Sequence, residues 1–67
     1  MDPQAAFALL KDQIENAEWH EAAETAENLL DWLSKGGFAP IITGSKTVDR
    51  IIAESTCRAV AAWELCP

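Results

Sequence analysis

The sequence predicts an all-α fold: an antiparallel helical hairpin over about 3–17 and 18–35, closed by a third helix over about 46–65, all in one domain spanning 1–67. Three observations predict it. Apolar residues recur at a spacing of three and four along most of the chain. Asp2-Pro3 supplies a helix start, and Lys35-Gly36-Gly37 followed by Pro40 supplies a strong stop.

In the first helix, the Asp2 carboxylate can cap free N–H groups while Pro3 sits where its missing donor costs nothing. Ala6, Leu9, Leu10, Ile14 and Ala17, with Phe7 and Gln13 in the same arc, face one way; Lys11, Asp12 and Glu15 face the other. Asn16 and Ala17 end this helix, and Glu18 places a negative charge where the next macrodipole favours it. One continuous helix from Pro3 to Ser34 is the alternative, because nothing between them is a strong breaker.

The second helix carries the clearest period. Trp19, Ala22, Ala23, Ala26, Leu29, Leu30 and Leu33 fall within roughly 120° of arc, the width of a core-facing stripe. Glu21, Glu24, Glu27, Asn28 and Asp31 occupy the opposite side. Trp32 breaks the pattern by projecting between Glu21 and Thr25, so either Phe38 or the Ile41-Ile42 connector folds over it, or it anchors a partner. Lys35 and a left-handed Gly36 end the helix, after which Phe38 folds back and residues 39–45 run as a packed connector.

The third helix starts with Ser45 or Thr47 as N-cap and Asp49 in its first turn. Val48, Ile51, Ile52, Ser55, Ala59, Ala62, Trp63 and Cys66 share a face, which Ala53, Thr56 and Val60 widen towards half the circumference. That exceeds one neighbour's worth. The helix is therefore expected to lie across both others or to bury a second flank in a partner.

Size and charge narrow the function. A chain of 67 residues has a thin stability margin, to which a dimer or docked partner would add. Its 49% hydrophobic content and three tryptophans nonetheless favour a folded state. Of the net charge of −6, residues 12–34 carry −7, from Asp12, Glu15, Glu18, Glu21, Glu24, Glu27 and Asp31 with no Lys or Arg. That field repels a phosphate backbone, so direct nucleic-acid binding is not expected and a basic protein partner is favoured. The same carboxylates also serve as a solvated face. Met1-Asp2-Pro3 has no leader character, and no apolar run is long enough to span a membrane, so a cytoplasmic location without membrane contact is expected. Cys57 and Cys66, nine residues apart on one helix, are separated by roughly 13 Å and cannot bridge each other.

The run Ala17-Glu18-Trp19-His20-Glu21-Ala22-Ala23-Glu24, together with Leu9, resembles the second helix of a tetratricopeptide repeat and its preceding core position. The resemblance covers about half the chain and implies a peptide-binding adaptor with a groove between the first and third helices. The pattern departs at Leu10, Gln13, Leu29 and Ser34, where the repeat has a small residue, an aromatic, an alanine and a proline.

Thr43-Gly44-Ser45-Lys46-Thr47 resembles a phosphate loop, but Ser45 interrupts the Gly-Lys pair and no strand precedes it. An anion at the N-terminus of the third helix is the reading that remains. His20-Glu21-x-x-Glu24 lacks the second histidine of a zinc helix. With a single His, no Tyr and no apolar pocket around the carboxylates, neither catalysis nor a cofactor or metal is expected. The expected function is a small acidic protein-interaction module that self-associates into a homo-oligomer through the wide face of the third helix. Its candidate partner-binding residues are Trp32, Glu21, Glu24, Asn28, Asp31, Val60 and Cys57. An acidic inhibitor that mimics nucleic acid and occupies a basic enzyme groove is the alternative.

Overall fold

The structure, a computed structural model, describes residues 2–65, and their side chains through residue 63. It contains α1 (Pro3–Glu15), α2 (Trp19–Ser34) and α3 (Lys46–Leu65), with no strand among the described residues. The central element is α2, which packs against α1 and, more extensively, against α3. This is the three-helix all-α arrangement that the apolar spacing predicts.

Each boundary has a local cause. Asp2 Oδ1 accepts from the N–H groups of Gln4 and Ala5, at 3.1 and 3.3 Å, and Pro3 occupies the first turn. The hairpin turn excludes the single long helix. Ala17 adopts φ 56°, Glu18 N donates to Gln13 O at 2.9 Å, and Ala17 N donates to Ile14 O at 3.1 Å. These are the two bonds of a Schellman ending, formed here around alanine where glycine is usual. An L-residue in that conformation costs about 1–2 kcal/mol. The end of α2 repeats the motif with Gly36 at φ 87°, Gly37 N donating to Trp32 O and Gly36 N to Leu33 O.

The core is built from Leu10, Ala22, Ala26, Leu29, Leu33, Ala53, Cys57 and Val60, all essentially inaccessible, with Ala6, Phe7, Ile14, Leu30, Trp32 and Ala39 packed around it. Alanines on α2 and small residues on α3 let the two backbones approach closely.

The orientation of α3 corrects the expected core face. The buried positions are Asp49, Ala53, Cys57 and Val60, whereas Val48, Ile51, Ser55, Ala59, Ala62 and Trp63 are exposed. Two polar anchors account for the difference. The Arg50 guanidinium reaches the carbonyls of Leu33 and Gly37 at the end of α2, and Asp49 gathers the preceding loop, so both must turn inward. Cys66, the last residue assigned to the expected face, lies outside the described residues.

The connector is also packed differently. Pro40 is fully buried and Ala39 lies against the core, but the side chains of Ile41 and Ile42 stay in solvent. The backbone is held instead by Gln4, whose Oε1 accepts from Ile41 N at 2.7 Å and whose Nε2 donates to Ile41 O at 3.3 Å.

Candidate interaction surface

At about 100° per residue, Val48, Ile51, Ser55, Ala59 and Ala62 lie within roughly 80° of arc, diametrically opposite the buried Asp49, Ala53, Cys57 and Val60. The strip contains no charged residue. Val48 and Ile51 leave 43% and 58% of their surface in water, so the most hydrophobic face of α3 is the one its own chain does not cover. Arg58 borders one edge, with its guanidinium 3.9 Å from Glu54; Glu54 also pairs with Arg50 Nε at 3.2 Å.

The expected partner-binding residues divide into three groups. Glu21, Glu24, Asn28 and Asp31 are exposed together on the side of α2 facing away from α1 and α3. Two of them have a nitrogen-bearing neighbour four residues away: Glu24 lies 3.6 Å from His20 Nε2, and Asp31 lies 2.9 Å from Nζ of Lys35, the residue that caps the helix end. Trp32 is half-buried. Its Nε1 donates to Phe38 O at 3.0 Å, Phe38 stacks edge-to-face on it at 5.7 Å, and its ring passes so close to Gly37 that an added Cβ would lie 2.4 Å from it. The indole donor is thus already used, as expected if Phe38 folds over it.

Val60 and Cys57 are the corrections. Both are buried between α2 and α3 and are closed to a partner. Burial pushes the Cys57 thiol up to about 11, so it stays protonated and packs as a small apolar group. The choice of Cys57 as a partner-binding residue follows from taking the opposite face of α3 as the core.

Trp19 and Trp63, expected in the core, also move outward. They leave 44% and 51% of their surface exposed and meet edge-to-face at 5.5 Å, walling a shallow hollow of about 330 Å³. Indoles are too large for the alanine-lined seam and pair where the helices leave room.

An open cleft of about 790 Å³ lies between the end of α2, the connector and the first half of α3. Phe38, Ala39, Ile41 and Ile51 supply its apolar wall, and Lys46, Arg50 and Glu54 its charges. No residue of α1 lines it, so it is not the groove implied by the tetratricopeptide resemblance.

Beside the cleft, the loop read as a candidate anion site is filled from within. Asp49 Oδ1 accepts from Thr43 N and Thr43 Oγ1, each at 2.7 Å, and Oδ2 accepts from Gly44 N at 3.3 Å. The Thr43 N–H, followed by its hydroxyl and the Ile42 and Gly44 backbones, outweighs the opposing effect of burial and holds this carboxyl below its usual range. The chain's own carboxylate therefore sits where an external anion would bind. Ser45 is the N-cap, its Oγ accepting from Val48 N at 3.4 Å.

Among the described residues no three His, Cys, Asp or Glu side chains converge, and no helix is long and apolar enough to cross a membrane. Comparison with protein families, curated proteins and solved structures finds no match to this chain.

Proposed function

We propose that this protein is a non-catalytic protein-interaction module that associates with a second copy of itself through the outer face of α3, while the carboxylates of α2 remain directed outward towards basic partners. The observation that carries the reading is the uncharged strip from Val48 to Ala62, left in water although α3 has already buried a full face against α2. A domain of this size gains stability by covering such a strip.

Charge does not oppose a like copy at this face. The α3 sequence is neutral, Lys46, Arg50 and Arg58 balancing Asp49, Glu54 and Glu64, whereas residues 12–34 carry −7. Two copies of an acidic protein repel least when they meet here. The chemistry of the buried groups supports a non-catalytic role. The Asp49 carboxyl is held below its usual range, the wrong direction for a general acid near neutrality, and the Cys57 thiol is both inaccessible and hard to ionise.

Light scattering across a concentration series tests the proposal. The wild-type mass is expected to rise towards twice that of the monomer, and Ile51→Glu is expected to stay monomeric with unchanged helicity. A wild-type chain that remains monomeric at millimolar concentration overturns the proposal.

A further inference from the structure

The outer strip of α3 is graded in size as well as uncharged. Its N-terminal end carries Val48 and Ile51, its middle Ser55, and its C-terminal end Ala59 and Ala62. Paired with a parallel copy, Ile51 would meet Ile51 and Ala59 would meet Ala59, crowding one end and leaving a gap at the other. An antiparallel copy turned about Ser55 removes both faults, because Val48 then faces Ala62 and Ile51 faces Ala59, twice over by symmetry. We infer that the protein forms a two-fold dimer in which α3 packs antiparallel on α3 of the second copy, with the axis at Ser55. This rests on the self-association proposed above and adds its direction and register.

Other features favour the same arrangement. Small residues at the centre and far end of the strip allow the helix axes to approach to about 8 Å. Antiparallel helices also oppose their macrodipoles. The acidic side of α2 faces away from α3, so the two acidic surfaces end on the far sides of the dimer. At 8–10 Å per helix layer, the two α2 axes stand roughly 25–30 Å apart, several times the ~8 Å screening length at physiological salt. From Val48 to Ala62 the strip is about 21 Å long at 1.5 Å per residue. Its contact is smaller than the ~800 Å² per partner of a standard interface, which makes this a reversible dimer.

Cross-linking of the full chain in a Cys66→Ser background tests the register, with Cys57 protected by burial. Val48→Cys and Ala62→Cys variants are mixed in equal amounts and oxidised with oxidised glutathione, beside Ser55→Cys alone and Glu24→Cys as an outward control. The mixed 48–62 product is expected to exceed the 48–48 product at least tenfold, because in this register two copies of position 48 stand about 21 Å apart. Ser55→Cys is expected to cross-link with itself, and Glu24→Cys only at the level of random collision. Predominance of 48–48 and 62–62 products, or equal yields throughout, overturns the register while leaving a concentration-dependent dimer intact. A monomer by light scattering together with no product above the Glu24→Cys control overturns the self-association reading itself.

Discussion

The two faces of α3 have opposite characters. The inner one holds a carboxylate, an alanine, a thiol and a single valine, yet it is buried; the outer one holds valine and isoleucine, yet it is wet. Local hydrophobicity therefore does not decide which way this helix turns. Fit and anchoring do: Ala53 and Cys57 match the alanines of α2, while Asp49 and Arg50 make bonds that only an inward orientation permits. The hydrophobic effect scales with area removed from water, but the area can be removed only where backbones approach closely enough.

The largest test of this contrast is a matched pair of substitutions. Val60→Asp puts an unpaired carboxylate into the seam and is expected to cost at least about 3 kcal/mol, abolishing cooperative thermal unfolding; Ile51→Asp, measured at low concentration, is expected to change stability by less than about 0.5 kcal/mol. Equal losses would mean that the faces are misassigned. Thiol labelling sharpens the same point kinetically. In a Cys66→Ser background at low protein concentration, Cys57 is expected to be alkylated at pH 8 at least about a hundredfold more slowly than a cysteine introduced at Ser55, with the gap closing in denaturant.

The anchors come next. Arg50→Met keeps the apolar stem but removes the donors to Leu33 and Gly37, and is expected to lower stability by about 1–2 kcal/mol in urea unfolding. For Asp49 the sign follows from its lowered pKa. Its contribution is complete above the ordinary value of 3.8 and is lost as the pH falls through the lowered folded value. Asp49→Asn should therefore melt at a lower temperature than wild type at pH 7, and the difference should shrink below pH 3.8. A difference that is constant from pH 7 to pH 2 would assign the effect to shape instead of charge. The smallest effect touches neither face: Ala17→Gly relieves the left-handed strain of the hairpin turn and is expected to stabilise by about 0.5–1 kcal/mol.

Legibility in the sequence followed the range of the forces involved. Features set within a few residues were readable: the Asp2 cap, the Gly36 ending, the Ser45 start and the stripe of α2 all stand where local chemistry puts them. The folding of Phe38 onto Trp32 belongs with them, being six residues in extent. What was not readable depends on partners far along the chain. Arg50 reaches back 17 residues to Leu33, and Gln4 reaches 37 residues to Ile41; neither spacing leaves a local signature. Because those bonds orient α3 and the connector, the periodic pattern alone selected the outer strip as core, and Cys57, Val60 and Trp63 were misplaced with it; Trp19, the first residue of the α2 stripe, stays partly in solvent against Trp63 instead. The Asp49-Arg50 pair in the first turns of α3 was the available clue. Two adjacent charges there need partners within the fold or must point away from it, and here they found partners.

The mooring of Ile41 by Gln4 has a consequence for how the molecule comes apart. With α1 packed less extensively on α2 than α3 is, and tied to the connector through the Gln4 amide, the first helix is expected to be the segment released first. Amide protons of α1 should accordingly exchange with solvent ahead of those in the α2–α3 pair, and filling the cleft beside Ile41 should slow that exchange from the opposite end of the chain.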